Sequence, residues 1–129
     1  MKQHVFRLHK GDDLYESICA FAKEKAIAAG YISCCVGCVS KAKLRDASGI
    51  RMREINEHME IVSITGTVSD ARSHIHIAFS KEDLSTIGGH LVAGCMVNTT
   101  AEIVITQIEG AIFDKEFDEQ TGYHELVIR

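Results

Sequence analysis

Seven of the 129 residues are histidines, and two of them alternate in the segment Ser73-His74-Ile75-His76-Ile77-Ala78-Phe79. On a β-strand, residues two apart project to the same side. His74 and His76 would therefore present both imidazoles to one face while Ile75, Ile77 and Phe79 turn to a core. A third histidine follows in Gly88-Gly89-His90-Leu91. The two glycines permit a tight or left-handed backbone and a close approach that could bring His90 against the pair. Three neutral imidazoles meeting at a point suit Zn²⁺ or a similar divalent ion. Three protein ligands leave a coordination position for water or a small ligand, as in catalytic rather than closed structural zinc sites, so metal-dependent hydrolase-type chemistry is open to such a site. The competing account makes His-x-His a solvated strand face and His90 a loop residue with an ordinary hydrogen bond. His4, His9, His58 and His124 lie in polar contexts and read as surface residues.

Other reactive side chains are less specific. Glu60 and Glu102 each open a Glu-Ile-Val triplet in an apolar stretch, so each is either on a wet face or buried with a partner, for which Arg7 is available. As possible supporting carboxylates beside a metal-bound water they are the first to consider. Cys35-Val36-Gly37-Cys38 has a redox spacing, but it falls in a strand-like run where residues three apart face opposite sides. Cys34, Cys35, Cys38 and Cys95 read as buried small hydrophobes. Lys41, Lys43, Arg45, Arg51 and Arg53 form the densest basic stretch, diluted by Asp46 and Glu54. A solvated hairpin is its simplest reading.

The elements that must position these groups are mostly strands. Asp13 can cap a helix, with Glu16 as its capping-box partner and Gly30 as its stop, and Leu14, Ile18, Phe21, Ala22 and Ala29 form one apolar face. Strands are predicted over Val5–Leu8, Tyr31–Val39 (apolar enough to be covered on both faces), Lys41–Arg45 and Arg51–Glu54. Further strands fall at Met59–Thr65, Ser73–Phe79, Leu91–Val97, Ala101–Gln107, Phe113–Phe117 and Tyr123–Ile128. One principal helix packed on a mainly antiparallel sheet gives an α+β fold. The sheet's other face is short of partners, which self-assembly would supply.

Composition bounds the possibilities further. Apolar residues make up 46% and charged residues 25%, an ordinary globular balance, and no linker or repeat interrupts a single domain over 1–129. The formal net charge of −4 opposes strong non-specific nucleic-acid binding. No apolar run approaches the roughly 18 residues a membrane helix needs. Without an export signal at the N-terminus, five cysteines read as reduced thiols of a cytoplasmic protein. No Gly-rich phosphate loop, nucleophile elbow or zinc-finger spacing is present.

Taken in order, several segments resemble one family. Phe6-Arg7-Leu8 with Gly11-Asp12-Asp13, Glu60-Ile61-Val62-Ser63-Ile64-Thr65-Gly66, Ser73-His74-Ile75-His76, Gly88-Gly89-His90-Leu91, Thr100-Ala101-Glu102 and the closing Thr121-Gly122-Tyr123-His124-Glu125-Leu126 are similar to the PPC (PCC) domain of plants and prokaryotes. The resemblance implies an antiparallel α+β fold, a homotrimer, and a metal pocket carried here by His74, His76 and His90. It also implies the label of predicted DNA-binding protein, which belongs to plant members bearing AT-hooks. This chain has no such hook and no proline at all. Two functions follow: a trimeric protein holding a divalent metal, most simply zinc, with room for a small-molecule ligand, or a DNA-associated or protein-interaction module without catalysis.

Overall fold

The computed structural model describes residues 1–129. In chain order the elements are β1 (Lys2–His9), α1 (Leu14–Glu24), β2 (Gly30–Arg45), β3 (Met52–Ile55), β4 (Met59–Val68), β5 (Ser73–Ser80), β6 (Thr86–Leu91), β7 (Met96–Gln107), β8 (Phe113–Asp118) and β9 (Tyr123–Ile128). All strand pairings are antiparallel. The main sheet runs β1-β7-β2-β4-β5-β6, and β8 and β9 form a separate hairpin. The single helix and mainly antiparallel sheet make the fold α+β.

β2 organises the whole molecule. Its first half lies between β7 and β4, and its last residues lie between β3 and β6. Since β4 pairs β5 and β5 pairs β6, the contact of Leu44 and Arg45 with Leu91 and His90 closes a ring of four strands. Ile61, Val68, Ile75, Ile77, Phe79 and Leu91 fill the inside of that region as part of one continuous buried core. The alternating pattern of β5 puts Ile75, Ile77 and Phe79 into this core and both histidines outside it.

The helix starts as its sequence dictates. Asp13 Oδ1 accepts a hydrogen bond from the Glu16 backbone N–H at 2.9 Å, and Oδ2 accepts one from Gly94 N–H at 2.7 Å, tying the cap to the turn before β7. Leu14, Ile18 and Ala22 are fully buried. The helix stops earlier than the expected Gly30: it ends at Glu24, and Ala26 takes the left-handed conformation at φ 50°. Gly30 serves β2 instead, because a Cβ there would lie 3.0 Å from the Thr106 carbonyl oxygen.

Other expectations are corrected by the strand pairings. Tyr31–Val39 and Lys41–Arg45 are one 16-residue strand. It is not covered on both faces, since Tyr31, Cys34 and Val36 are exposed on the side away from α1. Cys34 is therefore a surface thiol, whereas Cys95 is buried and Cys35 and Cys38 are half-buried. Leu91–Val97 is not a strand: Leu91 ends β6, and Gly94 at φ +116° turns the chain into β7. His4 is buried rather than superficial, edge-on to Phe21 with its Nε2 2.8 Å from Gln107 Oε1.

Candidate metal centre

Antiparallel register assembles the site. Residues directly opposite each other share a face, and Thr65 of β4, His76 of β5, His90 of β6 and Arg45 of β2 stand in one row across four strands. His74 lies two residues from His76 on the same face, beside Thr67. His90 is thus a strand residue and not a loop residue. Gly88 and Gly89 adopt no left-handed φ; they are needed for closeness. A Cβ on Gly88 would stand 2.5 Å from the Ile77 carbonyl oxygen, and one on Gly89 3.0 Å from that of Arg45.

The three rings converge. Their centroids are 5.0 Å apart for His74 and His76, 5.3 Å for His74 and His90, and 5.4 Å for His76 and His90. One ligating nitrogen from each lies within 4.8 Å of the other two. His90 Nδ1 is buried without a hydrogen-bond partner, a condition that is costly unless something else fills it. The donor set therefore fits a borderline divalent ion. Burial, then the charge of Arg45, pushes His90 down to about 4, and burial followed by Arg72 lowers His74. Both shifts favour the neutral form of imidazole, which is the form that ligates metal.

Glu60 and Glu102 do not join them. Both are exposed. Glu60 stands opposite Ser80, at the far end of β5 from His74, and Glu102 is on β7, which borders neither β5 nor β6. Arg7, opposite Glu102, turns instead to Thr100 Oγ1 at 3.0 Å and the Thr99 carbonyl at 3.3 Å.

The fold brings charged residues to the histidines that no local sequence signal places there. Arg72 Nη2 lies 3.3 Å from His74 Nδ1, and Glu125 of β9 acts on His74 with the opposite sign. Arg45 lies with its guanidinium 5.9 Å from the centre of the Tyr123 ring, and its Nε is buried and unpartnered. A cleft of about 570 Å³ opens beside His76 and His90, walled by Arg45, Ser63, Thr65 and the two glycines of β6. Within the basic stretch, Arg51 and Arg53 each reach Asp46 at 3.6 Å, but Arg45 is turned toward His90. Alternation along β2 separates Arg45 from its neighbours, but only the pairing with β6 shows what it faces.

The family model of the Plants and Prokaryotes Conserved (PCC) domain matches residues 1–109. The chain belongs to the PCC domain family. A hypothetical protein from Salmonella enterica has the same fold at a TM-score of 0.95, with 29% identity over 99% of this chain and 93% of that one. A metal-containing protein from Archaeoglobus fulgidus matches at 0.82 and 31%, over 98% and 94% of the two chains. A Bacteroides thetaiotaomicron structure described as a candidate DNA-binding protein shares the fold at 0.85 with 23% identity, over 97% and 91%. In sequence, the bifunctional protein GlmU of a Synechococcus strain is 34% identical over 128 residues, 99% of this chain. The PCC chain spans about a fifth of that relative's length, 21%. The β8–β9 hairpin, which brings Tyr123 to Arg45 and Glu125 toward His74, lies beyond the residues that the family model matches.

Proposed function

We propose that this PCC-domain protein binds a divalent metal ion, zinc, through His74, His76 and His90, with a position left for a small ligand in the adjoining cleft. The observation that carries the reading is the meeting of three imidazoles from two strands, with one nitrogen of each within 4.8 Å of the others. The unpartnered Nδ1 of His90 and the metal-containing relative from Archaeoglobus support it. When bound, such an ion supplies Lewis acidity to whatever enters the cleft. Of the chain's own residues, Gly88 and Gly89 let β6 approach its neighbours, Thr65 and Ser63 line the entry, and Arg45 and Arg72 set the local charge.

The chain acts in this reading as one cytoplasmic domain and as a homotrimer. The outer face of the sheet supports assembly, because Val5 of β1, Val104 of β7 and Cys34 of β2 form a row there, with Val5 75% exposed. Val36, on the next row, is 56% exposed. An association with DNA is the second reading, favoured by the description of the Bacteroides neighbour. The net charge of −4 weighs against it.

Metal analysis of protein purified without a histidine tag tests the first reading. About one zinc per chain is expected in the wild type and almost none in the His74→Ala/His76→Ala/His90→Ala variant. Equal, near-zero content in both would remove the metal from the account.

A further inference from the structure

Two arginines border the histidine cluster, and neither forms an ion pair within the chain. Arg45 stands opposite His90 in the β2–β6 pairing, and Arg72 reaches His74 Nδ1. Cations beside three metal-ligating imidazoles are an unusual choice. They repel a bound dication and lower the basicity of its ligands. Carboxylates are near but do not cancel them. Asp46, which lines the same cleft as Arg45, is engaged by Arg51, Arg53 and Ser48. Glu125, the carboxylate acting on His74, balances one guanidinium at most.

Arg72 sharpens the point. An arginine can only donate, so His74 Nδ1 accepts in this arrangement. An ion on that nitrogen displaces the guanidinium directly. An ion on the other nitrogen requires a proton on Nδ1, which then has no lone pair to offer. Either way, loading His74 releases Arg72 and leaves it seeking an acceptor. Arg45 is already short of one, for its Nε is buried and unpartnered while the Tyr123 ring keeps its guanidinium in place.

We propose that Arg45, joined by Arg72 once His74 is engaged, forms the receptor for an oxyanion group, carboxylate or phosphate, on a small molecule that binds against the three histidines. The inference rests on the reading of His74, His76 and His90 as metal ligands. Arginine's planar fork of donors matches both kinds of oxyanion. A cleft of about 570 Å³, lined by Arg45, His76 and His90, is the size of a small-molecule site, and Arg72 lines a separate groove with Lys115 and His124. The negative group pairs with the Arg45 guanidinium, offsets the surplus positive charge and gives the freed Arg72 a partner. Occupation of the two subsites is therefore cooperative: metal binding raises affinity for the anion, and the anion raises affinity for the metal by the same factor.

Calorimetric titration of the zinc-loaded and zinc-free chain with inorganic phosphate and with succinate tests this, with zinc content measured on the same samples. The zinc-loaded wild type binds at least one probe, and the tighter of the two identifies the group as phosphate or carboxylate. Arg45→Gln keeps its zinc and weakens that binding by about 10-fold or more, the scale of one lost charged hydrogen bond. Arg72→Gln weakens it as well, and reduces the difference between loaded and zinc-free protein. Unchanged affinity in Arg45→Gln, or no binding of either probe to zinc-loaded wild type at tens of millimolar, overturns the proposal while the metal site stands. An unaffected Arg72→Gln removes Arg72 from the receptor and leaves Arg45. Arg45-dependent binding in a chain that takes up no zinc keeps the receptor and discards the metal.

Discussion

The imidazole of His90 is half-buried on β6, beside Arg45 and against two other histidines, and each of these disfavours its protonated form. In the unfolded chain the same group titrates near its ordinary value of about 6.5, and in the fold near about 4. Between those two values the unfolded state holds more protons, so stability rises with pH across that window. The contribution is fully present above the unfolded pKa and is lost as pH falls through the folded one. His74, lowered chiefly by burial, adds in the same direction. The urea midpoint of the metal-free protein should accordingly fall between pH 7 and pH 4.5, and fall less in His90→Gln. A midpoint independent of pH over that range would mean His90 is not held neutral. At this scale the sequence was readable where a local rule applied. His74 and His76 share a face because strand periodicity is two, and Asp13 caps because its side chain reaches a backbone only three residues on. Arg45, Arg72 and Glu125 were not readable, since each meets the histidines through a fold-level pairing or packing that leaves no local signature.

At the scale of elements, the site depends on how closely β5 and β6 approach. Gly88 stands opposite Ala78, and the space a Cβ would need is taken by backbone atoms of β5 rather than by a flexible side chain. Backbone cannot yield without displacing the strand that carries His76. Gly88→Ala should therefore destabilise by about 1–3 kcal/mol, the usual effect of overpacking, and should lower zinc content by pulling His90 out of register. Urea unfolding and metal analysis measure the two effects, and an unchanged midpoint with full zinc would show that the strands tolerate separation. Most strands were legible from their alternation, but Gly88-Gly89 left a turn and a close approach equally open because glycine marks both. The same ambiguity lies behind a helix that ends at Glu24 rather than at Gly30. Gly30 is a glycine demanded by the Thr106 carbonyl, not by a helix end. Tyr31–Val39 was apolar enough to appear sandwiched, yet the surface opposite α1 has nothing of this chain over it.

For the molecule as a whole, the row of exposed Val5 and Cys34 flanking half-buried Val104 and the three-histidine centre lie on different parts of one sheet. No helix is long and apolar enough to cross a membrane. The α+β class was legible from one amphipathic segment among many strand-like ones. Closure of β2 onto β6 was not, because it joins residues more than forty positions apart that share no pattern. The order of motifs pointed to the PCC family even so, and the match over residues 1–109 bears that out. Native mass spectrometry of the zinc-loaded chain addresses the central claim most directly, since it reads assembly and metal together. The account predicts a species of three 14.2 kDa chains carrying one zinc each, and the same trimer without zinc for His90→Ala. Zinc retained in full by His90→Ala, or a wild-type assembly that takes up none, would contradict it.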